Sequence, residues 1–130
     1  MHIDEFINAA KRNDMRVIET YIANGFNIDS QDEYGFTAII EAAEFGNNEM
    51  FWKLIDYGAN IHLKAEDNYS ILHAIGIGGN VSMLEYALRN GISKEDKVSG
   101  GEQMGMGLKE YANYGKNDSI LKWIEDNDKK

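Results

Sequence analysis

The chain contains no cysteine and no proline in 130 residues. Without cysteine there is neither a disulfide framework nor a thiolate centre, in keeping with a cytoplasmic protein. Without proline, the breaks between segments fall to the 13 glycines. Histidine is scarce, and His2, His62 and His73 lack both the i,i+4 spacing and the acidic partners of a metal site. No apolar run approaches the roughly 18 residues of a membrane span. Asp4, Glu5, Lys11 and Arg12 stand where a secretory signal would need its apolar core, so the expectation is a soluble protein with no membrane partner.

Positive charge is also short. Thirteen Lys and Arg face 22 Asp and Glu, for a net charge of −9. The excess is uneven: residues 1–28 carry −1, 29–64 carry −5, 65–96 carry −3, and 97–130 are neutral. An acidic middle repels phosphate backbones, which speaks against direct nucleic-acid binding and favours a basic protein as partner. Solubility is the plainer use of the same charge.

What remains is an ordinary globular composition, 43% hydrophobic with seven tyrosines, five phenylalanines and two tryptophans, at a length that suits one domain. Its organisation is repetitive. The stretch 32–64, DEYGFTAIIEAAEFGNNEMFWKLIDYGANIHLK, recurs in both directions. A shift of 33 backwards sets Ala9 and Ala10 under Ala42 and Ala43, Val17 and Ile18 under Met50 and Phe51, and Gly25-Phe26-Asn27-Ile28 under Gly58-Ala59-Asn60-Ile61. The same shift forwards sets Ser70 under Thr37, Leu72 under Ile39, Gly79 under Gly46, Met83 and Leu84 under Met50 and Phe51, and Gly91 under Gly58. A further copy aligns from the third with three extra residues, at a shift of 36: Leu108 falls under Leu72, Ala112 under Gly76, Gly115 under Gly79, and Ile120 under Leu84.

Each copy reads as two short helices. Thr37 and Ser70 are placed as N-caps, where a hydroxyl satisfies an orphan amide. Ile39, Ala42 and Ala43 share one helix face, and the small alanines admit a close neighbour. Gly46 and Gly79 are expected to end the first helices in a left-handed conformation, and Gly25, Gly58 and Gly91 the second. In the last copy the helices fall at about 106–114 and 117–126, with Trp123 on the inner face.

A 33-residue period with the openings GFTAIIEAA and NYSILHAIG and the Gly-Ala-Asn-Ile ending resembles the ankyrin repeat, whose idealised opening is G-x-T-P-L-H-x-A-A. The resemblance spans nearly the whole chain. It implies an all-α solenoid of about four helix-turn-helix units with loop or β-hairpin-like tips. The units are 1–31 as N-terminal cap, 32–64, 65–97, and 98–130 as C-terminal cap. His73 falls in the family's structural histidine slot, where it is expected to bond the Ser70 hydroxyl or nearby backbone. His62 is expected in the exposed loop after the second unit.

Chemistry finds no foothold. The glycine strings at 76–79 and 100–107 lack the Gly-Lys-Ser/Thr ending of a phosphate loop, and Glu110 stands where a nucleotide fingerprint starting at Gly105 needs glycine. No Ser-His-Asp or Cys-His spacing is present. Glu41 and Glu44 are expected on a solvated helix face. The expectation is no enzyme activity, no cofactor and no metal. The loop 94–107 is expected to be a flexible binding element or slack between repeats.

By the family resemblance, the protein binds another protein on its concave side, through loop tips and the outward residues of the first helices. Carried over by position, those slots hold Glu33, Tyr34, Phe36, Glu44 and Phe45 in the second copy. The third supplies Glu66, Asp67, Tyr69 and Ile77, the first Lys11 and Arg12, and the fourth Asn113 and Tyr114. Aromatic anchors ringed by acid would result, unless Phe36 and Tyr69 pack between adjacent loops. Trp52 is expected on the convex back or a helix flank. A narrower reading is an immunity or inhibitor protein that neutralises a basic toxin or nuclease. The other alternative is one subunit of a homo-oligomer, against the expectation of a monomer when unbound.

Overall fold

Thr37 and Ser70 do begin helices. The Thr37 hydroxyl accepts the Ile40 amide at 3.4 Å and the Ser70 hydroxyl the Leu72 amide at 3.2 Å. In the computed structural model, which describes residues 2–128, eight α-helices follow in pairs. These are α1 (Ile3–Lys11) and α2 (Met15–Ala23), α3 (Ala38–Glu44) and α4 (Asn48–Asp56), α5 (Ile71–Gly78) and α6 (Val81–Arg89), and α7 (Leu108–Tyr114) and α8 (Asp118–Asp128).

The first helices stack in order, α1 on α3, α3 on α5 and α5 on α7, whereas the second helices meet one another more sparingly. A stack whose one layer is drawn closer curves towards that layer, so the first helices line the concave side. Ala9, Ala10, Ala42, Ala43 and Ala74 are fully buried along this row. At its C-terminal end the approach tightens until glycine is required. A Cβ on Gly78 would sit 2.0 Å from the Glu44 carbonyl oxygen, and one on Gly115 2.2 Å from that of Ile77. The second helices contribute Ile18, Met50, Phe51, Leu54, Met83, Leu84 and Ile120 to the buried core.

Asparagines tie the units together. Asn47 donates from Nδ2 to the carbonyls of Ala10 and Lys11 at 2.7 Å each, satisfying orphan groups at the end of α1. Asn117, in the equivalent place, donates to the carbonyls of Gly79 at 2.8 Å and Gly76 at 3.1 Å. Trp52 lies on the flank of the second-helix row, edge-on to Phe51 and Tyr86, with its indole N–H donating to Asn48. Trp123 is half-buried against the core.

Four expectations need correction. The helix starts after Ser70 and after Gly107 are 37 positions apart, so the fourth pair carries four extra residues, and Ile120 matches the buried Met83. Apolar periodicity tolerates the one-residue slip; the cap positions do not. Gly79 is not left-handed, with φ −85° and ψ −169°, whereas Gly46 is, at φ +70°. Glu41 is not solvated: it is 4% exposed and salt-bridged to Lys11 at 3.1 Å, because α1 covers that face of α3.

The loop 94–107 is not slack either. Val98 donates to the Met106 carbonyl at 3.0 Å and Gly105 to that of Val98 at 2.8 Å, and residues Gly101–Gln103 form a 3-10 turn. The earlier tips close the same way, Asp32 to Phe36 at 3.0 Å and Ala65 to Tyr69 at 2.8 Å. Among the described residues these tips form no regular strand.

Candidate functional site

The concave row opens into a cleft of about 730 Å³ between the end of α3, the tip around residue 67, the end of α5, the loop at 98–103 and α7. Its floor is aromatic. Tyr69 lies 5.5 Å from the ring of Phe36 on one side and 5.5 Å from Tyr111 on the other, with His73 behind it at 5.7 Å. Phe45 and Tyr114, 51% and 74% exposed, stand at the mouth.

The rim is acidic. Glu44, Glu66, Asp67 and Glu102 line the cleft, and no Lys or Arg does among the described residues. The Tyr69 phenol donates to Glu44, and the Tyr111 phenol donates to Gln103 at 2.5 Å. Burial first, then the Glu44 charge, raises the pKa of both tyrosines. They therefore stay protonated and serve as donors.

The two acidic walls are held to one another. Asp67 and Asn68 take left-handed backbone angles, φ +57° and +63°, in the 3-10 turn Glu66–Asn68. The Ser99 amide donates to the Asp67 carbonyl at 2.7 Å, and Asn68 Nδ2 to the Ser99 hydroxyl at 3.0 Å. Beneath them His73, fully buried, fastens the loop. Its Nδ1 accepts the Ser70 amide at 3.0 Å, as the sequence leads one to expect, and its Nε2–H donates to the Asp96 carbonyl at 3.1 Å. Burial lowers its pKa, and the Asp96 carbonyl opposes that shift only in part. His62 is exposed after α4, as expected.

Of the residues expected on the binding face, the structure gathers Phe36, Glu44, Phe45, Glu66, Asp67, Tyr69, Ile77 and Tyr114 around this cleft. Of the two readings open for Phe36 and Tyr69, surface anchors or packing between loops, the second describes Tyr69 better. Tyr69 is 9% exposed, an interior wall of the cleft and not a surface anchor, because Phe36 and Tyr111 flank it; Phe36 is half-buried. Glu33, Tyr34 and Asn113 are exposed but stand outside the cleft. Arg12 lies beyond its N-terminal end, 3.8 Å from Asp14. Lys11 is committed to Glu41 and sits 5.9 Å from the centre of the Phe45 ring. Val98, Gly100, Gly101, Glu102 and Gln103, from the loop 94–107 expected as a binding element or slack, complete the lining with Tyr111 of α7, which was not singled out from the sequence. The loop's length was the one signal for its five residues; its attachment to the tip at residues 67–68 is tertiary.

Eight paired helices among the described residues, stacked through small residues and with second helices starting 33 residues apart up to the third pair and 37 apart to the fourth, define a helical repeat protein whose exposed cleft lies on the inner row. Residues 6–100 match the family model for ankyrin repeats in three copies. The chain belongs to the ankyrin repeat family, whose repeats are generally protein–protein interaction modules and typically non-catalytic. The pair α7–α8 follows the matched region and continues the stack.

An ankyrin repeat protein of fowlpox virus (strain NVSL) is 27% identical over 88 residues, 66% of this chain and 13% of the viral protein. The human Notch-regulated ankyrin repeat-containing protein is 28% identical over 87 residues, 64% of this chain and 76% of that one. Its Xenopus laevis counterpart is 33% identical over 63 residues, 48% of this chain and 55% of that protein. The chain thus spans about an eighth of the viral relative and between half and three-quarters of the others. No helix among the described residues is long and apolar enough to cross a membrane.

Proposed function

We propose that the chain is a non-catalytic binding protein that holds a protein partner in the acidic, aromatic cleft of its concave face. One observation carries this reading: a single opening gathers exposed Phe45 and Tyr114 with the carboxylates of Glu44, Glu66, Asp67 and Glu102, and no basic residue lines it among those described. The aromatics supply area that is costly to leave in water, and the uncompensated acid selects for a basic surface. Residues 32–64 and 65–97 build one half of the face and 98–130 the other, with 1–31 as the N-terminal capping unit.

Replacing Phe45 and Tyr114 together by alanine tests it. Each is at least half exposed, so helix content should hold while affinity for the partner recovered by pull-down falls, by about 2 kcal/mol for each side chain that is a hot spot. Unchanged affinity would remove the cleft from consideration.

A narrower form of the reading, neutralisation of a basic toxin or nuclease, draws on the −8 carried by residues 29–96. It requires an association rate that falls steeply with salt. A rate indifferent to ionic strength rules it out.

A further inference from the structure

We infer that the cleft is built to receive an arginine side chain projecting from an extended segment of the partner, an assignment that rests on the binding role proposed above. The opening, about 730 Å³, exceeds the needs of one side chain and suits a short stretch of backbone with a residue inserted. The four carboxylates come from three separate segments, α3, the tip at 66–67 and the loop at 102, so they converge on the opening from different directions. None of the four takes part in an ion pair among the described residues. Lys11, the cation by Phe45, is already bound by Glu41. The acid in the cleft is therefore uncompensated.

The aromatic lining decides which cation fits. A lysine ammonium is a compact, strongly hydrated charge that gains little from ring faces and gives up its water reluctantly. A guanidinium is planar and weakly hydrated, stacks on aromatic faces, and presents a fork to a carboxylate. Here Phe36, Phe45, Tyr69, Tyr111 and Tyr114 share the opening with the acids. Glu44 is already oriented by the Tyr69 hydroxyl, which engages one of its oxygens and leaves the carboxylate with acceptor capacity. The bonds from Ser99 and Asn68 fix the tip against the loop, so the walls carrying Asp67 and Glu102 need no reordering when a ligand enters.

The test uses a random-sequence peptide library selected on the immobilised chain, with each retained peptide titrated into isotope-labelled protein. Retained peptides should carry arginine, shift the amides of Glu44, Tyr69 and residues 100–103, and lose about tenfold in affinity when the arginine is replaced by neutral citrulline. Replacement by lysine should cost about threefold, a loss that separates the fork from the charge. The double variant Glu66→Gln/Glu102→Gln, changed at two exposed positions, should keep its fold and lose the preference for arginine over citrulline. Peptides that occupy the cleft equally well with citrulline overturn the arginine assignment and leave the binding face standing. Peptides indifferent to Phe45→Ala/Tyr114→Ala, or a selection that yields none shifting the cleft amides, overturn both.

Discussion

The junction between α1 and α3 and the junction between α5 and α7 solve one packing problem in different ways. At the first, Lys11 reaches across to Glu41, a residue 4% exposed, while Asn47 ties off the end of α1 as Asn117 does that of α5. At the second there is no such ion pair among the described residues; glycines bring the backbones together, and the rings of His73 and Tyr111 meet at a tilt, 5.1 Å between centres. The first junction is closed by charge and the second by shape. Charge tolerates displacement and carries a desolvation cost, whereas close approach tolerates almost no added atoms.

The heaviest blow should come from adding one methyl group at the shape-closed junction. Gly115→Ala places a Cβ 2.2 Å from the Ile77 carbonyl oxygen, and the helices must part. A loss of about 3 kcal/mol in urea unfolding is expected. A loss under about 0.5 kcal/mol, the level of an ordinary surface change, would show that the approach is loose.

Next is His73→Ala, which strands the Ser70 amide and the Asp96 carbonyl and should cost about 2 kcal/mol. The same residue makes stability depend on pH. Its folded pKa lies below the ordinary 6.5, so the unfolded chain binds the proton first. Its contribution is whole above 6.5 and is lost as pH falls through the lowered folded value, since protonating Nδ1 breaks the bond from Ser70. Urea midpoints compared across that range should show a His73-dependent fall that the alanine variant lacks.

A smaller effect is expected at the charge-closed junction. Lys11→Met leaves the Glu41 carboxylate buried without its counter-ion, at about 1.5 kcal/mol, a figure reduced because the Lys11 side chain is 38% exposed. The sign with pH is the reverse of that for His73. Burial and the Glu44 charge raise the Glu41 pKa above 4.5 against the pull of Lys11. Its protonated form therefore favours folding below 4.5, and that contribution is lost as pH rises through the raised value. Without Lys11 the loss should extend to higher pH, as unfolding midpoints against pH will show. Glu41 Oε1, buried with no hydrogen-bond partner among the described residues, marks the same cost.

The smallest change in stability should follow Glu66→Gln/Glu102→Gln, within about 0.5 kcal/mol at two exposed sites outside both junctions. A larger loss would mean that the acid at the cleft shapes the fold as well as the opening.

Glu41 and Glu44 show how far the sequence could be read. Three positions apart on a seven-residue helix, they look alike in one dimension. One is sealed beneath α1 and the other accepts a tyrosine hydrogen at the cleft, a difference made by neighbours some thirty residues away. Tyr69 shows the same limit: its loop position left open whether it is a surface anchor or packs between loops, and Phe36 and Tyr111 enclose it. His73 was legible through the family resemblance, and its chief partner, Ser70, is only three residues away.

The sequence by itself determined the helix pairs, their caps and the 33-residue rhythm, because hydroxyl caps and small-residue spacing act within a few positions of the chain. The family resemblance added eight of the residues that line the cleft. Tertiary structure decided which carboxylates meet water, how the loop that holds the additional residues fastens to the tip at residues 67–68, and that Tyr111 and Glu102 share an opening with Glu44. Those outcomes depend on backbones meeting across the stack, and local propensity carries no information about that distance.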